Sequence, residues 1–276
     1  VGPIAQSSSN AVGGETDTAT IDQSNDAQVS QILGGTNNCD EAGIGDNSPS
    51  CSNEGDNFIE SISQANTADV GDDFVQNNLV GSISQDLLAI NNCDELGDGD
   101  NGDGGVNQSC LNDVRNIVGP VVQTNDAEGT EVTDISQNND IASINQFLVA
   151  DNDCDQSGPG NNLAFCGTSE VFNSNNPITQ SNDATGDLFA DITQDNDAAY
   201  SQVLDISNDC DETTLTASSE NNDASCSLLS VGNFFDFLDQ ANTATGSDNS
   251  DISQSNEIGL INQDLLVDND CDQSGP

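Results

Sequence analysis

The chain has 276 residues, 49 of them Asp or Glu, against a single basic residue, Arg115, and no His, for a formal net charge of −48. Carboxylates in such excess must face water or bind cations, and without Lys or Arg to displace counterions neither nucleic acid nor an anionic membrane surface is an expected partner. The absence of His and Lys also removes imidazole-base, Schiff-base and triad chemistry, so an enzyme is not expected.

No stretch approaches the ~20 consecutive apolar residues of a membrane span, so no membrane insertion is expected. A start at Val1 rather than Met fits a processed, secreted product. Nine cysteines without a His point to an oxidising setting, extracellular or at a cell surface.

In chain order, the first segment is Ile4/Gln6/Ser8, a weak copy of the segments downstream of it. Ile21/Gln23/Asn25/Ala27 then opens a series of nine segments that read apolar-x-Gln-x-Asn-x-(Ala/Val/Ile). Spacing at i, i+2, i+4 and i+6 puts these residues on one face of a β-strand, with Ser, Thr and Asp on the other. Next comes Gln31/Leu33/Asn37/Cys39, where Gln and Cys are eight residues apart. The same spacing recurs at Gln85/Cys93, Gln146/Cys154, Gln202/Cys210 and Gln263/Cys271. Successive motif cysteines lie 54, 61, 56 and 61 residues apart. The unit reads as three strands and a cysteine-bounded loop, and helix-favouring windows are absent. Its copies fall at 1–56, 57–115, 116–172, 173–232 and an incomplete 233–276.

An all-β repeat protein is therefore expected: a β-solenoid-like stack, or alternatively a tandem of small β-sandwich domains. In a stack, in-register amides bond to the copies above and below. The expected ladder residues are Gln23, Asn25, Gln64, Asn66, Gln123, Asn125, Gln180, Asn182, Gln194, Asn196, Gln240, Asn242, Gln254 and Asn256. The spacing Gln-x-Asn-x-Ala-x-x-x-Gln, as in QSNDAQVSQ (23–31) and QDNDAAYSQ (194–202), resembles that of curlin-type repeats, the subunits of curli fibres. That resemblance implies a β-solenoid that assembles into extracellular biofilm fibres. The unit here is longer, carries cysteines and is more acidic.

By position the cysteines sort as Cys39 with Cys51, Cys93 with Cys110, Cys154 with Cys166, and Cys210 with Cys226, leaving Cys271 free or bonded to another chain. The spacing also admits bonds between neighbouring repeats. Zinc is disfavoured, since neither a CxxC spacing nor a His is present. In the loop CDELGDGDNGDGG (93–105), Asp94, Asp98, Asp100 and Asp103 offer hard oxygen ligands among glycines; the expectation is a solvated acidic loop and no cofactor, with Ca²⁺ as the alternative.

The nine residues DNDCDQSGP occur at 151–159 and again at 268–276, and VGPIAQ at the start echoes VGPVVQ at 118–123. Bare repeat ends are templates for another strand, so the expected partner is a second copy, joined head to tail into a homopolymer. The function expected is a secreted structural subunit of an acidic filament in a cell-surface or biofilm matrix. The alternative is a repeat adhesin or surface-layer protein that presents its disulfide loops to a ligand.

Overall fold

The computed structural model describes residues 1–11, 20–43, 50–69, 73–97, 107–129, 134–158, 163–186, 190–214, 223–246 and 250–274. The first coil comprises β1 (Ile4–Ala11), β2 (Thr20–Asn38), β3 (Glu41–Gly43) and β4 (Ser50–Ile59). The second repeats it as β5 (Ile62–Asp69), β6 (Asp73–Asn92), β7 (Glu95–Gly97) and β8 (Asn107–Val118). The third is β9 (Val121–Glu128), β10 (Asp134–Asp153), β11 (Gln156–Gly158) and β12 (Leu163–Asn175). The fourth is β13 (Ile178–Thr185), β14 (Asp191–Asp209), β15 (Glu212–Thr214) and a divided last strand, β16 (Asp223–Leu228) with β17 (Val231–Phe235). Then come β18 (Leu238–Thr245), β19 (Asp251–Asp270) and β20 (Gln273–Ser274).

Equivalent strands of successive coils pair in parallel, building four sheets ordered β1-β5-β9-β13-β18, β2-β6-β10-β14-β19, β3-β7-β11-β15-β20, and β4-β8-β12-β16 with β17 also on β12. Identical residues stack in register, with Gln64 on Gln123 and Asn66 on Asn125. Each coil is a flattened loop. The last strand of one coil turns a corner and continues as the first strand of the next, as β8 does through Gly119 and Pro120 into β9, and this wall faces the long strand. The protein is thus an all-β, β-solenoid-like stack, with no helix among the described residues.

Alternation of burial along the walls explains why these segments are strands. In β6, Phe74, Gln76, Asn78 and Val80 point inward, then Ile83, Gln85, Leu87, Ala89 and Asn91, while the residues between are more exposed. The three-residue step at Val80–Ile83 is a β-bulge that restores the inward row after one extra residue. The interior is layered. Apolar clusters around Phe74, Ile135 and Ile192, around Val80, Ile83 and Ile144, and around Leu87, Leu148 and Leu204 alternate with bands of buried amides, and the cysteines close the far end.

One expectation needs correcting. The two sequence motifs of each unit, predicted as separate strands, lie on one strand of 19 or 20 residues. The segment expected as a cysteine-bounded loop holds a three-residue strand, and the second cysteine lies near the start of a long one. Its backbone is satisfied by pairing with the same segment in the next coil, which one unit in isolation cannot show.

Candidate functional site

The interior amides form continuous rows. Gln123 Nε2–H donates to Gln64 Oε1 at 2.9 Å, and Gln180 Nε2–H donates to Gln123 Oε1 at 2.9 Å. Gln240 continues the row on Gln180, and on the opposite wall Gln76, Gln137, Gln194 and Gln254 descend in the same way to Gln23. The asparagines zigzag between the walls: Asn25 Nδ2–H donates to Asn66 and Asn78, Asn78 to Asn125 and Asn139, Asn139 to Asn182 and Asn196, and Asn196 to Asn242 and Asn256. All fourteen residues expected in ladders lie in these rows.

The rows have a direction. Each Gln donates to the Gln of the preceding coil, whereas each Asn donates to the Asn of the following coil. Backbone carbonyls fix these orientations, because Gln123 Nε2 also reaches Asn78 O and Asp140 O, and Asn78 Nδ2 reaches Thr124 O. An inverted amide would set oxygen against oxygen at those contacts.

Further rows were missed. Gln85, Gln146, Gln202 and Gln263 stack on Gln31, and Asn37, Asn91, Asn152, Asn208 and Asn269 form another chain beside the cysteines. On the facing wall Asn57, Asn116, Asn173 and Asn233 run in sequence, and Asn53 bonds to Asn112. The pattern Cys-x-Asn-x-x-x-Asn at Cys51/Asn53/Asn57 and Cys110/Asn112/Asn116 was the available signal.

All nine cysteines converge on one column at the far end of the coil, zigzagging between the walls. Cys39 bonds to Cys51 within its coil, as expected from position. The other pairings differ: Cys110 bonds to Cys154, Cys166 to Cys210 and Cys226 to Cys271, each joining one coil to the next. The expected pairs Cys93–Cys110, Cys154–Cys166 and Cys210–Cys226 do not form, and Cys271 is not the odd thiol. That thiol is Cys93, which is buried. The physical reason is the stacking, which sets the motif cysteines Cys93, Cys154 and Cys210 each between a cysteine of the opposite wall on one side and another on the other. Burial, with Asp40, Asp94 and Asp153 nearby, pushes the Cys93 thiol up to about 12.

Of the four aspartates expected to offer metal ligands, Asp98, Asp100 and Asp103 lie outside the described residues. Asp94 is described and gathers with Asp153 and Asp155, their carboxylates within 4.8 Å of one another. Desolvation and neighbouring carboxylates raise Asp153 to about 6 and push Asp94 and Asp155 upward too. The only basic side chain, Arg115 on β8, grips Asp56 of the coil before through two bonds of 2.7 and 2.8 Å and Glu170 of the coil after at 2.9 Å.

The four disulfides fit an oxidising compartment outside the cytosol. No helix among the described residues is long and apolar enough to cross a membrane. Comparison with protein families, with curated proteins and with solved structures finds no match to the chain.

Proposed function

We propose that the chain is a secreted, non-catalytic structural subunit that stacks on copies of itself, head to tail, to build an acidic extracellular filament of the cell surface or a biofilm matrix. The observation that carries this reading is the stacking itself: equivalent strands of successive coils pair in parallel register, so each coil presents to the next the rows it receives from the one before. The inward row of β19, Ile252, Gln254, Asn256, Ile258, Ile261, Gln263 and Leu265, is exposed, whereas the equivalent residues of β14 are buried. Ile252, Ile258, Ile261 and Leu265 are 46, 50, 52 and 52% exposed, against 1, 3, 4 and 0% for Ile192, Ala198, Tyr200 and Leu204. A second copy offers β2, which carries the same kind of row with one residue fewer between Ala27 and Val29 than between Ile258 and Ile261, a difference that a bulge absorbs within the stack.

Polarity makes the two faces complementary. The β19 face presents Gln oxygens and Asn amide hydrogens to a following coil, and at the other end of the stack β2 presents Gln amide hydrogens and Asn oxygens to a preceding one, beside the edge strand β1 with Gln6 and Ser8, following the directions within the stack. Backbone edges add parallel hydrogen bonds. The contact is heterologous and does not close on itself, so it propagates. Surface carboxylates keep the product soluble, and Ca²⁺ between filaments would bundle them.

Negative-stain microscopy of the purified protein, with and without Ca²⁺ and reductant, tests this. Long uniform filaments with a single axial repeat are expected. Discrete particles one subunit long under every condition would overturn the reading.

A further inference from the structure

Nine sulfurs in one column cannot all pair, and the arrangement of the column says what becomes of the odd one. Ordered along the stack, the column runs Cys39, Cys51, Cys93, Cys110, Cys154, Cys166, Cys210, Cys226, Cys271, alternating between the long strand and the opposite wall. Four sets of three consecutive sulfurs lie within 4.8 Å of one another: Cys39/Cys51/Cys93, Cys93/Cys110/Cys154, Cys154/Cys166/Cys210 and Cys210/Cys226/Cys271. Thiol–disulfide exchange needs three sulfurs in a row, spanning roughly 4–5 Å between the outer two as one bond forms and the other breaks.

We propose that the column is an exchange relay, in which the unpaired thiol passes from Cys93 to the ends of the stack and becomes a modification site there, at Cys39 or Cys271, for a soft electrophile or a foreign disulfide. Each step balances without an external oxidant. The Cys93 thiolate attacks Cys51 Sγ, the Cys51–Cys93 bond forms, the Cys39–Cys51 bond breaks, and Cys39 leaves as thiolate and takes up the proton. In the other direction Cys93 attacks Cys110 and frees Cys154. Cys154 attacks Cys166 and frees Cys210, and Cys210 attacks Cys226 and frees Cys271. The four steps use the four triads.

Two features of the column support the relay. Bonds within a coil and between coils are alike in backbone geometry: Cα–Cα is 6.2 Å for Cys39–Cys51 and 6.2–6.7 Å for the three that join coils, all in the range disulfides adopt. The protein itself holds both registers side by side, and Cys93 marks the boundary between them. Access differs along the column, because Cys93, Cys110, Cys154, Cys166 and Cys210 are fully buried while Cys39 and Cys271 are partly exposed. Reagents therefore meet the thiol at the ends rather than where it rests. The high pKa of Cys93 makes exchange slow at neutral pH and about tenfold faster per pH unit above it, as the thiolate fraction grows. The relay does not depend on filament formation.

The test is to hold the native, full chain with iodoacetamide at pH 8.5, quench in acid, digest without reduction and map bonds and labels by mass spectrometry. Label is expected at Cys39 accompanied by a Cys51–Cys93 bond, or at Cys271 accompanied by Cys93–Cys110, Cys154–Cys166 and Cys210–Cys226, never exceeding one per chain. A tenfold slower approach at pH 7.5 is expected. Label confined to Cys93, or absent until denaturation and then only at Cys93, with the resting bonds intact, would overturn the proposal. In Cys93→Ser the eight remaining cysteines pair fully and both ends lose their label. Should that variant not fold, the bond map of the unaltered chain decides alone.

Discussion

At the scale of the residue, an interior amide does the work that a hydrophobic side chain does in an ordinary core, but only while its neighbours repeat it. Gln123 accepts from Gln180, donates to Gln64 and also meets two backbone carbonyls, all in a place closed to water. Gln123→Leu keeps most of the volume yet strands Gln64 Oε1, Asn78 O and Asp140 O without that donor, so it should lower unfolding free energy by about 1–3 kcal/mol. Gln28→Leu, on the outward face of β2, should change it by no more than about 0.5 kcal/mol. Chemical denaturation of the two variants measures the difference, and equal values would mean that the rows contribute nothing. The inward Gln and Asn of the first strands and of the opening half of each long strand were legible because they alternate in phase with Ile and Ala. Asn112 and Asn116 were not, although Cys110, Asn112, Val114, Asn116 and Val118 alternate equally well. In the third coil a bulge between Thr168 and Val171 shifts the spacing, and in the fourth the strand divides, so no fixed offset recurs to be noticed.

At the scale of the element, register was readable and connection was not. The long strands have 20 residues in β6, β10 and β19 and 19 in β2 and β14. The extra residue is absorbed at one point, beside Ile83, Ile144 and Ile261, so the rows on either side remain aligned. Which cysteine bonds to which was beyond the spacing, because Cys93, Cys154 and Cys210 each have one equivalent neighbour on either side in the stack. The corner between β8 and β9 is more restrictive. A Cβ at Gly119 would stand 1.7 Å from Glu60 O and 2.7 Å from Ile59 O, both backbone atoms that cannot swing aside. Gly119 N–H also donates to Ile59 O at 2.7 Å, tying the corner to the coil beneath. Gly119→Ala should therefore destabilise by about 3 kcal/mol. Ala at Asn176, the corresponding corner of the next coil, which already carries a side chain, should cost far less. A melting comparison of the two checks this.

At the scale of the whole molecule, the governing fact is the net charge of −48 on a stack that places like residues above one another. Asp153 is raised to about 6, and Asp94, Asp126, Asp140, Asp151, Asp155 and Asp209 are shifted upward, in each case by desolvation first and by neighbouring carboxylates. A carboxyl whose folded pKa exceeds its unfolded value binds protons more readily when folded. Stability is then lowest with all of them ionised and rises as pH falls through 6 toward the unfolded value near ~4. Thermal unfolding should accordingly shift upward between pH 7.5 and 5. Asp153→Asn should flatten the part of that rise near pH 6, and added salt should raise stability most at the higher pH. A melting temperature that falls over this range would contradict the stacking of these carboxylates.

The opposed directions of the Gln and Asn rows have a consequence for long stacks. In an α-helix every peptide dipole points the same way, and the field at the tip is that of a lengthening macrodipole. Here the amide dipoles of one kind of row oppose those of the other, and along each strand successive backbone groups point alternately up and down the axis. Little axial dipole accumulates as coils are added, so each new coil meets nearly the same dipolar field as the one before it.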